Sequence, residues 1–218
     1  MKLSVGEEDR KFSFQTKEES LYDSGCSFIA GVDEVGRGSL AGPVVAAAVI
    51  LPRSYWPKGL KDSKKLSEPG REKIFEDISS HALSFATGFV SEKIIDEINI
   101  REATFLAMSL ALKNLKIRPD YVLVDGKDCI KDWDGQQESI IKGDNQSRVI
   151  AAASVCAKVA RDRVMVDYDK SYPGYFFVQN KGYGTKDHRS AIENMGFSAI
   201  HRKTFEPVKS YLKSSLSK

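Results

Sequence analysis

The sequence predicts a mixed α/β domain with a central sheet flanked by helices, and two patterns carry that prediction. Three strand-like runs come in series, at Ser27–Val32, Val44–Leu51 and Ser84–Val90. Beyond residue 100 the pattern changes to helices alternating with short buried strands. A length of 218 residues suits one such domain with an appendage.

Each element has its own warrant. Val44-Val45-Ala46-Ala47-Ala48-Val49-Ile50-Leu51 is apolar throughout, as a strand buried on both faces must be. Only a glycine-rich turn separates it from the first run, so the three runs form an antiparallel meander. Phe105, Met108, Leu112 and Leu115 share one helical face, which predicts a helix over Arg101–Lys116. Tyr121–Val124 reads as a strand that stops at Asp125-Gly126, and Ser139–Ile141 as another that runs into Lys142-Gly143-Asp144. A long helix is expected from Ser147 to Tyr168, with Ala151, Ala152, Ala153 and Ala157 small enough to let it press on the sheet. Pro173-Gly174 breaks it, and the basic stretch from Lys181 to Lys218 should hold two more helices. The chain divides into a polar, loosely attached extension (1–26) with one short helix, a core (27–175), and a basic helical C-terminal region (176–218).

Composition removes several classes. With 41% hydrophobic and 29% charged residues the chain has ordinary globular make-up. Its longest apolar run, Val44–Leu51, is too short to span a bilayer. Lys2 is followed by Glu7, Glu8 and Asp9, which does not resemble a secretory signal, so a cytoplasmic protein without membrane contact is expected. Cys26, Cys129 and Cys156 are far apart and lack metal-ligand spacing, and they read as reduced thiols. Net charge is only +3, yet the last 61 residues carry twelve basic against six acidic side chains. That asymmetry is a mild nucleic-acid signal, equally compatible with a solvated basic surface.

The chemistry lies in carboxylates. Gly36, Gly38 and Gly42 follow a strand and resemble a dinucleotide fingerprint, but Pro43 and a β-branched run stand where that motif needs a helix. Asp33 and Glu34 lie in an otherwise apolar segment, a costly placement unless they pair with Arg37 or Lys158 or serve a ligand. Asp125 and Asp144 follow two further strands, at the end of the sheet where ligands bind in open α/β folds. Four such carboxylates repel one another unless a cation is present. All-oxygen ligands without His or Cys select Mg²⁺ or Mn²⁺, and a two-ion site of this kind serves phosphoryl chemistry. One difficulty is geometric, because neighbouring strand residues point to opposite faces, so the strand must bend or end at Asp33-Glu34. Candidate phosphate contacts are Lys64, in Asp62-Ser63-Lys64-Lys65-Leu66-Ser67, and the helical trio Ser154, Lys158 and Arg161. Ser67 reads equally well as a helix cap. Tyr183, in Asn180-Lys181-Gly182-Tyr183-Gly184-Thr185, is either packed or placed to stack on a sugar or base. His81, His188 and His201 are scattered along the chain, and none reads as a base.

Six blocks occur in order: Gly31-Val32-Asp33-Glu34-Val35-Gly36-Arg37-Gly38, Asp62 to Ser67, Val124-Asp125-Gly126, Lys142-Gly143-Asp144, Ala152-Ala153-Ser154 with Ala157-Lys158, and Lys181-Gly182-Tyr183-Gly184-Thr185. Together, over about residues 28–210, they resemble bacterial ribonuclease HII. The resemblance implies a ribonuclease H-like fold with a mixed five-stranded sheet. It also implies metal-dependent endonucleolytic cleavage of RNA in RNA–DNA hybrids and at single ribonucleotides in duplex DNA. By resemblance, Asp33, Glu34, Asp125 and Asp144 bind the metal ions and are the catalytic residues. Gly36, Arg37 and Gly38 read the ribose 2′-hydroxyl and adjacent phosphate, Tyr183 completes recognition of the RNA–DNA junction, and Lys64, Ser154 and Lys158 hold the backbone. Ser39 and Asn180 depart from the proline and histidine that many members carry. Two rivals are a DNA-only nuclease, disfavoured by the arginine–glycine loop and Tyr183, and a non-catalytic binding module, disfavoured by the complete carboxylate set. The stretch Tyr211–Lys218 lacks the paired aromatics of a sliding-clamp-binding peptide, so a monomer without such a partner is expected.

Overall fold

The computed structural model describes residues 17–60 and 67–215. Five strands form one sheet: β1 (Ile29–Val35), β2 (Val44–Ile50), β3 (Ser84–Val90), β4 (Tyr121–Asp125) and β5 (Gln136–Ile140). Their order is β3-β2-β1-β4-β5. The meander expected from the sequence is present, since β1–β2 and β2–β3 are antiparallel, while β4 joins β1 and β5 joins β4 in parallel. The sheet is therefore mixed.

Among the described residues seven α-helices accompany it: α1 (Lys17–Asp23), α2 (Glu68–His81), α3 (Glu92–Lys113), α4 (Arg148–Ser171), α5 (Phe177–Asn180), α6 (Lys186–Met195) and α7 (Val208–Ser215). Every residue of β2 is buried, which agrees with its uniformly apolar sequence. Ala47 and Val49 face the layer containing Ile74, Val149 and Cys156 of α2 and α4, whereas Ala46, Ala48 and Ile50 face Ala103, Ala107 and Met108 of α3. Burial of each large aliphatic side chain contributes roughly 1.5–3 kcal/mol, so β2 anchors both layers at once. A Cβ built on Gly31 would lie 2.1 Å from the backbone carbon of Val149, so β1 and α4 meet main chain to main chain. A third cluster joins Leu40 and Ala41 of the glycine-rich turn to Met165, Phe177, Ile192 and Val208, which fastens the C-terminal helices to that turn. Among the described residues, no helix is long and apolar enough to cross a membrane.

Three expectations are corrected, while helix α2 starts at the cap that Ser67 offered, although Ser67 makes no side-chain cap hydrogen bond. Helix α3 begins at Glu92 rather than Arg101, and Asn99 interrupts it with φ 67°. Asn99 Oδ1 accepts the N–H groups of Arg101 (2.9 Å) and Glu102 (3.3 Å), so the expected start is a second helix start inside one element. Strand β5 spans Gln136–Ile140 instead of Ser139–Ile141, and its polar, partly exposed residues lack a strand's apolar signature. Finally, α1 is docked rather than loosely attached, with Glu18 fully buried and Lys17 paired to Glu138 at 2.7 Å.

Candidate active site

Strand β1 neither bends nor ends at Asp33-Glu34, contrary to what the sequence reading required, so the two side chains leave it on opposite faces. Pairing of β1 with β4 stops at Val32↔Val124, while pairing with β2 continues to Val35↔Val45. The pairing thus ends on one side only, and the next residues, Asp33 and Asp125, stand at the open end of the parallel pair. Asp33 lies on the α4 side of the sheet, near Ser154. Its Oδ1 also accepts the Glu34 N–H at 2.7 Å. Glu34 faces a cavity of about 60 Å³ that Asp125, Gly126, Lys127 and Arg101 also line. The pairing considered from the sequence occurs between Glu34 and Arg37, at 3.2 Å, and does not involve Lys158.

Electrostatics mark this strand end. Asp33 is 6% exposed, and burial pushes its carboxyl well above the usual carboxylate range; the charges of Glu34 and then Asp125 push in the same direction. Burial raises Glu34 too, and Asp125 adds to it, while Arg37 opposes the rise. Asp125 Oδ1 accepts the Gly143 N–H at 2.7 Å, which ties β4 to the 3-10 turn Gly143–Asn145 carrying Asp144. Asn145 Nδ2 donates to Asp144 Oδ1 at 3.2 Å. Among the described residues, no three His, Cys, Asp or Glu side chains are gathered into a ready metal cage. The donor set still fits a hard divalent ion, because among the described residues no cation pairs with Asp33 or Asp125 and the carboxylates disfavour one another's charge.

The glycine-rich turn is held from behind by two buried arginines. Arg161 donates to Pro43 O (2.9 Å), Lys181 O (2.7 Å), Ala41 O (3.1 Å) and Ser39 Oγ (2.7 Å). That corrects its expected place beside Ser154 and Lys158 as an anion contact. Arg202 donates to the carbonyls of Gly36 (2.7 Å), Arg37 (2.9 Å) and Gly42 (2.9 Å). Burial, then the charge of Arg161, lowers Arg202 to about 9, which leaves it a cation at neutral pH. Gly36 has φ 91°, and a Cβ there would strike Arg161 Nε at 2.2 Å. Gly38 has open space around it instead. Ser39 fits its position by donating to Gly36 O at 2.8 Å while accepting from Arg161. Asn180 does the same for the next loop, donating to Tyr175 O and accepting the Gly182 N–H, both at 2.7 Å.

Tyr183 is 37% exposed, with the Arg161 guanidinium 5.5 Å from its ring centroid. Lys158 is half-buried and ion-paired to Asp162. Lys64 lies outside the described residues. The histidines are less scattered than the sequence suggests, because His188 Nε2 and His201 Nε2 are 3.0 Å apart and both rings are buried. Their protons follow from the donors around them. The Ser198 N–H points at His201 Nδ1 (2.9 Å), so His201 carries its proton on Nε2 and donates to His188. His188 must then donate from Nδ1 to Tyr183 O, at 2.9 Å. Sequence reading missed this relay and Arg202, since their partners lie far away along the chain.

The comparisons agree with this fold. The ribonuclease HII family profile matches residues 30–208. Ribonuclease H2 from Pyrococcus horikoshii OT3 is 27% identical over 88% of this chain and 100% of its own, with a TM-score of 0.76. Ribonuclease HII of Archaeoglobus fulgidus, solved in complex with PCNA, is 25% identical over 82% of this chain and 95% of its own, with a TM-score of 0.70. Bst-RNase HIII, solved with Mn²⁺, shares the fold at 19% identity and a TM-score of 0.68, covering 88% of this chain and 71% of its own. The chain belongs to the ribonuclease HII family and is a metal-dependent ribonuclease H with a mixed five-stranded sheet flanked by helices.

Proposed function

We propose that this enzyme cleaves the RNA strand of RNA–DNA hybrids and cuts at single ribonucleotides embedded in duplex DNA, as the bacterial members of the family do. Asp33, Glu34, Asp125 and Asp144 bind two Mg²⁺ or Mn²⁺ ions. When bound, the ions supply an activated water for in-line attack on phosphorus and neutralise charge on the leaving 3′-oxygen. Ser154 orients Asp33, and Arg37, beside Glu34, binds the phosphate next to the scissile one. The products carry 3′-hydroxyl and 5′-phosphate ends.

The observation that carries this reading is the junction of an under-neutralised carboxylate cluster with the Gly36–Gly38 turn. Among the described residues a Cβ at position 38 would meet open space, so the Gly38 backbone is open to close approach by a ligand. Tyr183 presents its ring from the neighbouring loop and reads the junction. Lys64 and Lys158 hold the backbone, with Lys158 acting while paired to Asp162. The core 27–175 supplies the chemistry, and the region 176–218 completes the groove. The protein acts as a cytoplasmic monomer.

The deciding experiment incubates the protein with a DNA duplex carrying one ribonucleotide, with and without Mg²⁺ or Mn²⁺. Metal-dependent incision on the 5′ side of the ribonucleotide is expected. An all-DNA duplex cut equally well would replace this reading with that of a general nuclease.

A further inference from the structure

We infer that Glu18, on the N-terminal helix α1, is a positioning residue for the carboxylates Asp125 and Asp144. The inference rests on the reading of those two residues as metal ligands. It starts from a costly feature, a glutamate with 0% exposure. Glu18 Oε1 accepts from Ser147 Oγ (2.8 Å) and from the Val149 N–H (3.1 Å). Those donors belong to the first turn of the 24-residue helix α4, whose positive end favours an acidic neighbour.

From there hydrogen bonds lead to the site without a gap. Ser147 caps α4 by accepting the Ile150 N–H at 3.2 Å, and its donation to Glu18 orients the hydroxyl for that task. The Ser147 N–H donates to Gly143 O at 2.7 Å. The Gly143 N–H in turn donates to Asp125 Oδ1, also at 2.7 Å, and Gly143 opens the turn that bears Asp144. One carboxylate on α1 therefore fixes the start of α4, the turn of Asp144 and an oxygen of Asp125. Helix α1 is itself pinned, because Arg53 bonds Glu19 at 3.0 Å and Asp23 at 2.7 Å.

The test uses the full chain and four variants: Glu18→Ala, Glu18→Gln, Ser147→Ala and Asp125→Asn. Mn²⁺ binding is measured by calorimetry without substrate, alongside kcat, KM and the thermal midpoint. Loss of a partner that orients a metal ligand typically costs 10–100-fold in metal affinity or activity. Glu18→Ala should weaken Mn²⁺ binding about tenfold and lower kcat, with KM for the duplex within about twofold. Glu18→Gln keeps the accepting oxygen and should recover most of both. Ser147→Ala cuts the same path one link later, should weaken Mn²⁺ in the same direction, and decides the matter if Glu18→Ala does not fold. A folded Glu18→Ala protein with wild-type Mn²⁺ affinity and kcat overturns the inference, even if its thermal midpoint is lower. Undiminished Mn²⁺ binding by Asp125→Asn removes the metal-ligand assignment itself, and the inference with it.

Discussion

The carboxylate end of β1 and the turn that follows it are opposite in charge and opposite in how that charge is satisfied. Burial and the charge of Asp125 raise both Asp33 and Glu34, and Arg37 eases Glu34 alone. A few residues on, Arg161 and Arg202 are buried with no carboxylate partner among the described residues, yet each makes four hydrogen bonds to carbonyl or hydroxyl oxygens. Neutral acceptors satisfy the guanidinium N–H groups without cancelling their charge. One region is thus left incomplete in charge, as a cation-binding site must be before it is filled. The other is rich in hydrogen bonds and still positive, as suits a support for a loop that meets a polyanion.

Substitutions that remove charge should act oppositely in the two regions. Asp33→Asn is expected to give the largest effect, a loss of at least roughly 10²–10³-fold in kcat, by analogy with removal of one electrostatic contact in an active site. Its thermal midpoint without metal should equal or exceed the wild-type value, because one member of a mutually repelling set is gone. Near-normal turnover at saturating Mg²⁺ would contradict the contrast at its acidic end.

Arg202→Met should instead destabilise by about 3 kcal/mol, since the buried carbonyls of Gly36, Arg37 and Gly42 lose their donor. Urea denaturation at neutral pH reads this directly. A variant as stable as wild type would mean that the arginine does not anchor the turn.

A third comparison uses acid. Burial, followed by the charge of His188, lowers His201 to about 4 from an ordinary 6.5, and burial lowers His188 as well. In this window the unfolded chain takes up protons that the folded pair refuses. Stability is therefore full above about pH 6.5 and falls as the pH drops toward 4, by on the order of 3 kcal/mol for His201. His201→Gln should flatten that slope in urea titrations between pH 7 and 4; an unchanged slope would assign it to other groups.

The smallest effect concerns Tyr183. Loss of the ring should cost about 1–3 kcal/mol of substrate binding, and loss of the hydroxyl roughly 0.5–1.5 kcal/mol. Tyr183→Ala should therefore suffer more than Tyr183→Phe on a duplex with one ribonucleotide, and less on a continuous hybrid where other registers are available. Equal losses on both substrates would reduce the residue to a packing role.

What could be read from the sequence followed the range of the interactions. Strand β2 and helix α4 were legible because burial on both faces writes an uninterrupted apolar run and small-residue positions into the local sequence. The four carboxylates were legible because charge in or beside apolar strands is conspicuous. Only the start of helix α2, at Ser67, and the last residues of strand β5 were legible, since their polar faces dilute the periodicity. Arg202 reaches Gly42 across 160 residues, and Glu18 reaches Ser147 across 129, so no local window contains both partners. The same holds for the two histidines, which face each other only once α6 and the following segment are folded.

The main-chain contact between Gly31 and Val149 has a further mechanical consequence. It lies just before Asp33 on one segment and just after Asp144 on the other, so the two halves of the carboxylate set share a hard stop. Side chains in the surrounding layers can be exchanged for others of similar volume without altering that spacing, because no side chain sets it. Mutational drift of the core should therefore leave the site's dimensions untouched, while a single methyl group at position 31 would wedge the two segments apart.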